Sequence, residues 1–236
     1  MIKLCGMRDA DNIRQAEQLL SSNSSTCPLT TRQLVNSSTC QLVNLIGFIF
    51  WPKSSRYVSE RPAYLPTKCR RVGVFVDEDI DTVKRIADEY ALDYIQLHGH
   101  ESPEYIRALK SQLVNLSTNN SSTRQLVNLS TIKAFNIAAR EDLEATAPYE
   151  GLVDYFLFDT KGKSVGGNGE KFDWSVLSSY RGETPFLLSG GIGPDDAERV
   201  KAFRHPKCAG IDINSRFEVS PALKDINKLK TFLQSL

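Results

Sequence analysis

Two short stretches decide how this chain is read: Lys3-Leu4-Cys5-Gly6-Met7 near its start and Phe156-Leu157-Phe158-Asp159-Thr160 past its middle. Each is an apolar, strand-like run that ends on one titratable side chain, a thiol in the first and a carboxyl in the second. Parallel βα barrels build active sites in this way, from side chains at the C-terminal ends of their strands. Placed in one barrel, Cys5 and Asp159 face each other across its mouth. A thiolate base opposite a carboxylic acid suits proton transfer on a sugar.

Outward from these stretches the rhythm is regular. Strands are expected over residues 2–5, 45–50, 71–76, 94–97, 132–135, 155–159, 186–189 and 210–213. They are short and apolar on both faces, as strands covered on both sides of a parallel sheet must be. Helices are expected over 10–20, 78–90, 103–110, 142–145, 174–180, 194–203 and 223–236. Pro62 and Pro66 leave room for only a short or irregular helix in the second connection. Asp195 and Asp196 fall in the first turn of the helix opening at Pro194, where the helix dipole favours them. Eight such units in 236 residues argue for the α/β class and a single (β/α)8 barrel domain over residues 1–236. A doubly wound open sheet is the alternative, and the number of units favours closure.

Two segments break the rhythm, 21–44 and 111–130, both rich in Ser, Thr, Asn and Gln. Gln-Leu-Val-Asn begins at Gln33, Gln41, Gln112 and Gln125, copies too short and irregular for a solenoid. Their composition reads as surface-loop insertions. Each lies between a helix and the next strand, which places it on the barrel face away from the chemistry.

Composition narrows the class without naming the function. A formal charge of +1 gives no electrostatic case for nucleic acid or an anionic membrane surface. No apolar run approaches the ~20 residues of a membrane span, and Arg8, Asp9 and Asp11 interrupt any signal-peptide pattern. Five cysteines, Cys5, Cys27, Cys40, Cys69 and Cys208, have neither metal-site nor framework spacing, so reduced thiols in a cytoplasmic protein are expected.

The anion signal lies near the C-terminus. Ser189-Gly190-Gly191-Ile192-Gly193 follows the seventh strand and opens onto a helix, and Asp212-Ile213-Asn214-Ser215 closes the eighth. Glycines let backbone N–H groups approach an anion, and loops seven and eight recurrently hold phosphate in barrels. A second cluster, Gly166-Gly167-Asn168-Gly169, reads as a mobile loop closing over the site. Arg56, on the loop after the second strand, has the fork geometry to grip a carboxylate. His98 ends the fourth strand in Gln96-Leu97-His98-Gly99, where a packing or hydrogen-bonding role is open.

Together with Gly47-Phe48-Ile49-Phe50, Pro52-Lys53-Ser54-Ser55-Arg56-Tyr57-Val58 and Phe172-Asp173-Trp174, these motifs resemble phosphoribosylanthranilate isomerase of tryptophan biosynthesis, in that family's order and outside the two repeat segments. The resemblance implies a TIM barrel and an Amadori rearrangement of N-(5-phospho-β-D-ribosyl)anthranilate. It makes Cys5 the general base and Asp159 the general acid. It gives a substrate-binding set of Arg56, for the anthranilate carboxylate, with His98, Gly190, Gly191, Asp212, Asn214 and Ser215. No metal and no cofactor is implied, the partner is the small phosphoribosyl substrate, and monomer and homodimer are both open. Arg216 departs from the family, which usually has glycine after the equivalent serine. A related barrel isomerase acting on a histidine precursor would carry a carboxylate in place of Cys5. A catalytically dead phosphate-binding barrel would not need both Cys5 and Asp159. The chemistry asks for an Asp159 pKa raised from ~3.9 and a Cys5 pKa lowered from ~8.5. Lys3, on the same strand face as Cys5, is the candidate for favouring the thiolate.

Overall fold

The computed structural model describes residues 1–22, 43–119, 129–160 and 173–236. Eight strands close into a parallel barrel in sequence order: β1 (Ile2–Leu4), β2 (Leu45–Ile49), β3 (Arg70–Phe75), β4 (Tyr94–Leu97), β5 (Ser130–Ile137), β6 (Tyr155–Thr160), β7 (Phe186–Leu188) and β8 (Cys208–Ile213). β8 returns to β1 with Lys3 opposite Asp212, which completes the ring. Each expected strand is present within a few residues of its expected bounds.

The strand period of two sorts the side chains. Leu45, Val72, Ile132, Ala134, Leu157 and Leu187 form a small apolar cluster inside the barrel. The alternate residues, among them Phe48, Phe75, Ile95, Phe156, Phe158, Phe186 and Ile211, join the larger core beneath the surrounding helices. Two positions beyond an inner residue, towards the C-terminal end, the same strands turn polar. Asp159 follows Leu157, and Ser189 follows Leu187. The lower inside of the barrel is thus plugged, and its chemistry is confined to the upper rim.

The helices are α1 (Ala10–Ser22), α2 (Ile80–Glu89), α3 (Pro103–Asn119), α4 (Ala197–Ala202) and α5 (Ile226–Ser235). The side chains of Asp79 and Asp225 cap α2 and α5 by accepting from backbone N–H groups two or three residues on. Residues 140–149 and 174–179 are 3-10 turns where ordinary helices were expected. Pro148 in the first of these removes a backbone donor, which suits a short irregular winding. No helix forms between β2 and β3, in keeping with Pro62 and Pro66.

Three expectations are corrected. Helix α3 does not stop at Lys110 but continues to Asn119, so the first part of the 111–130 segment is helical. The physical reason is Leu113, buried to 4% and extending the apolar stripe of Ile106 and Leu109 by one turn. Tertiary packing there outweighs the modest helix propensity of Ser, Asn and Thr. The last helix starts at Ile226, because Leu223 and Lys224 form β10, antiparallel to β9 (Glu218–Ser220). Asn44, assigned to the first insertion, is a buried anchor. Its carboxamide donates to Leu20 O at 2.7 Å and accepts from Ile2 N at 3.3 Å. No helix of the described residues is long and apolar enough to cross a membrane.

Candidate active site

At the C-terminal rim a cavity of about 170 Å³ is lined by residues from seven of the eight strands or the loops that follow them. Cys5, Asp159, His98, Gly190, Gly191, Asp212, Asn214 and Ser215 all reach it, so the barrel collects in one place residues spread over the whole chain. Ser189, Gln96 and Arg216 line it as well.

Cys5 follows β1, and its N–H donates to Ile213 O at 3.0 Å, which ties it to the end of β8. The thiol occupies space that β2 leaves open. A Cβ added to Gly47 would lie 3.0 Å from Cys5 Sγ, so glycine is needed for this close approach. Below the thiol is a buried ion pair, with Lys3 Nζ 2.8 Å from Asp212 Oδ1. Asp212 Oδ2 accepts from Ser189 Oγ at 3.1 Å. Burial pushes the Cys5 thiol above its ordinary value, and the Lys3 charge counters this only in part while Asp212 adds to it. This overturns the expectation of a lowered pKa at Cys5. Lys3 acts in the direction expected, but desolvation of a thiolate in a closed site is the larger effect. Burial also disfavours charge on Lys3, yet Asp212 and Cys5 outweigh it and hold the ammonium charged.

Asp159 ends β6 opposite. His98 Nε2 lies 3.7 Å from Asp159 Oδ2. On its other side the ring meets Gln96, whose Nε2 is 2.8 Å from His98 Nδ1. With the amide donating, Nδ1 accepts and the ring proton sits on Nε2, facing Asp159. Gln96 itself is buried to 1%, and its Oε1 has no hydrogen-bond partner among the described residues.

At the other end of the cavity Gly190 and Gly191 have φ of +86° and +69°, a conformation that favours glycine. A Cβ on Gly191 would meet nothing within 4 Å, so its role is backbone shape rather than close packing. Arg216 is exposed and extends over Gly193, its Cδ 3.1 Å from where a Cβ there would sit. The loop with Gly166, Gly167 and Gly169 lies outside the described residues.

Arg56 stands beside the cavity rather than on its wall. Residues 50–58 fold back on β2, with Val58 N donating to Ile49 O at 2.9 Å, and this brings Arg56 over Gly6. A Cβ on Gly6 would fall 2.7 Å from Arg56 Cδ and 2.8 Å from Asn214 Oδ1, and its φ of +73° also calls for glycine. The Arg56 guanidinium is held by Glu218, with Nε–Oε1 at 2.8 Å and Nη2–Oε2 at 2.6 Å. Glu218 and Lys224 sit in no motif that the sequence marks, whereas Gln96 alternates with His98 in Gln96-Leu97-His98-Gly99, and that alternation is the signal available for it.

Comparison with known proteins identifies the family. Residues 24–235 match the family model described as N-(5'phosphoribosyl)anthranilate (PRA) isomerase. Proteins named N-(5'-phosphoribosyl)anthranilate isomerase from Parabacteroides distasonis and Phocaeicola vulgatus are 44% and 43% identical, each across 100% of this chain and 93% and 97% of their own. The crystal structure of phosphoribosyl anthranilate isomerase from Thermotoga maritima superposes with a TM-score of 0.69 at 25% identity, covering 99% of this chain and 97% of that one. Another, of the isomerase in complex with reduced 1-(o-carboxyphenylamino)-1-deoxyribulose 5-phosphate, superposes at a TM-score of 0.67 and 24% identity, covering 99% and 96%. On sequence match across nearly its whole length, this chain belongs to the phosphoribosylanthranilate isomerase family.

Proposed function

We propose that this chain converts N-(5-phospho-β-D-ribosyl)anthranilate to 1-(o-carboxyphenylamino)-1-deoxyribulose 5-phosphate, with Cys5 as general base and Asp159 as general acid. The observation that carries the reading is that a thiol and a carboxyl from β1 and β6 line one cavity with the glycine turn after β7 and the Asn214-Ser215 turn after β8. An acid, a base and an anion cradle are what the rearrangement of a phosphorylated aminosugar requires.

Asp159 gives its proton to the ribose ring oxygen as the C1′–O bond breaks, leaving a protonated Schiff base. Cys5 as thiolate takes the C2′ proton, and the electron pair moves to form the enolamine. Loss of the enol proton and protonation at C1′ give the aminoketone. Because burial raises the thiol, the proton leaves Cys5 against that cost, and Lys3 beneath it supplies the compensating charge. Gly190, Gly191, Asn214 and Ser215 hold the phosphate, with His98 and Asp212 at the ribose and Arg56 at the anthranilate carboxylate. The described cysteines, Cys5, Cys69 and Cys208, are buried, and the five cysteines of the sequence lack framework spacing, which supports a reducing, cytoplasmic setting.

Turnover is followed as loss of anthranilate-substrate fluorescence. Cys5→Ser and Asp159→Asn should each lower kcat by at least ~10²-fold with little change in KM. Near wild-type turnover in either variant would sink the assignment.

A further inference from the structure

The β9–β10 hairpin carries two buried charges that the steps above do not use. The Glu218 side chain is 5% exposed and Lys224 is fully buried, with 2.7 Å between Nζ and Oε1. A buried ion pair is weak support for stability, since desolvation consumes much of the Coulomb gain. What the pair touches is therefore the more informative fact.

Glu218 grips one edge of the Arg56 guanidinium, with Nε 2.8 and 3.0 Å from its two oxygens and Nη2 2.6 Å from Oε2. On its other side Glu218 Oε1 accepts from Lys224 Nζ at 2.7 Å and from Ala222 N at 3.2 Å. Lys224 Nζ then donates to Asn214 Oδ1 at 2.7 Å. The backbone of Lys224 is itself fixed, its N–H donating to Asn12 Oδ1 at 2.8 Å and its carbonyl accepting from Asn12 Nδ2 at 2.9 Å. A continuous chain, Arg56–Glu218–Lys224–Asn214, thus joins the loop after β2 to the loop after β8. A guanidinium has five N–H donors in a rigid fork, and Glu218 occupies the Nε–Nη2 edge. Among the described residues no acceptor meets Nη1 or the outer hydrogen of Nη2, which leaves them for a second carboxylate, and two cations with one anion leave one net positive charge to meet it.

We infer that Glu218 is a positioning residue for Arg56, presenting the outer edge of the guanidinium to the anthranilate carboxylate, and that Lys224 locks this clamp to Asn214 at the phosphate end. The inference rests on the role given to Arg56 above. It separates orientation from simple attraction. Glu218→Gln removes a negative charge beside Arg56, so attraction alone would tighten binding of an anion. A glutamine has one acceptor oxygen, and its NH2 faces the donors of Arg56 or Lys224, so an orienting role is lost.

The test compares two probes by calorimetry. One is reduced 1-(o-carboxyphenylamino)-1-deoxyribulose 5-phosphate, and the other is the same compound without its carboxyl group. For Glu218→Gln, affinity for the first should fall about tenfold, ~1.4 kcal/mol, and affinity for the second should stay within about twofold. In turnover, KM should rise by a similar factor with kcat within about threefold. Binding of the probe without the carboxyl group confirms that the variant is folded. If Glu218→Gln does not fold, Glu218→Asp keeps the charge on Lys224 balanced and should show the same selective loss. Unchanged or tighter binding of the carboxylated probe, or equal loss of both probes, overturns the inference. If Arg56→Ala leaves both probes unaffected, it is the role of Arg56 that falls.

Discussion

Lys3→Met removes the cation that lies beneath Cys5 on the same strand face. In the native protein Lys3 and Asp212 form a 2.8 Å pair with side chains 0% and 8% exposed. Asp212 also accepts from Ser189 Oγ at 3.1 Å, a neutral donor that does not replace the ammonium charge. Breaking a buried pair by removing one partner costs about 3–5 kcal/mol. The second effect falls on the thiol. Burial already raises Cys5, Asp212 raises it further, and Lys3 is the largest opposing influence. Each unit of further rise is about 1.4 kcal/mol and cuts the thiolate fraction near neutral pH about tenfold. The base must be ionised to act, so activity grows as pH climbs through the thiol pKa. Lys3→Met should therefore lower kcat/KM at pH 7.5 by about tenfold or more. Its pH profile should be displaced to the alkaline side by about one unit or more, with the loss recovered on raising the pH. The assay is fluorescence turnover from about pH 6 to 10, with thermal unfolding measured alongside. A folded variant whose profile superimposes on wild type refutes the reasoning, as does a loss that is the same at every pH.

In the free enzyme a raised and buried thiol should make Cys5 slow to react with iodoacetamide near neutral pH, and alkylation should accelerate with pH; rapid neutral-pH labelling at Cys5 contradicts this. Arg216 lines the cavity beside Gly190 and Gly191, so Arg216→Gly removes a positive charge from the proposed phosphate end and should raise KM for the phosphorylated substrate about threefold to tenfold with kcat unchanged; an unaltered KM assigns Arg216 to the solvated surface. Glu17 is buried and accepts from Tyr64 Oη and from the N–H groups of Thr67, Lys68 and Cys69. Burial alone would raise its carboxyl, but those hydrogen bonds outweigh it and hold the group below the usual range. Its contribution is thus complete above about pH 4.5 and is lost as pH falls through the lowered value. Glu17→Gln should cost about 2 kcal/mol at pH 7 and less in acid, as read by urea unfolding. Replacing residues 23–42 and 120–128 by short turns, while keeping Asn44 and all of α3, should leave kcat/KM within about threefold, ~0.65 kcal/mol. Loss of activity in that shortened protein would give these segments a role at the site.

The sequence carried the barrel because its strands are short, apolar and closely spaced, and because each rim residue sits two positions beyond an inward one. Cys5 beyond Lys3, Asp159 beyond Leu157 and Ser189 beyond Leu187 obey one rule, and that rule is local enough to read along the chain. Two kinds of information were not local. The first was the end of α3, where polar composition argued for a loop and the burial of Leu113 decided for helix. The second was the electrostatic sign at Cys5. Period two puts Lys3 near the thiol, but the balance also depends on how deeply the thiol is buried and on Asp212, which only barrel closure places opposite Lys3.

The clamp on Arg56 was invisible for the same reason, since Arg56 and Glu218 are 162 residues apart and meet only because the loops after β2 and β8 flank the short strand β1. That adjacency has a consequence for how the site divides its labour. Cys5 at the end of β1 has the Arg56 loop on one side and the Asn214 loop on the other, with Gly6 thin enough to let both approach. The base is thereby held between the groups assigned to the two anionic ends of the substrate. A ligand anchored at its carboxylate and its phosphate would have its reacting carbon fixed over the thiol without any contact to that carbon. Fixing geometry in this way supplies rate through positioning. A thiol made less acidic by burial can still serve as the proposed base, because the same closure that disfavours its ionisation strengthens the attraction between the thiolate and the Lys3 ammonium beneath it.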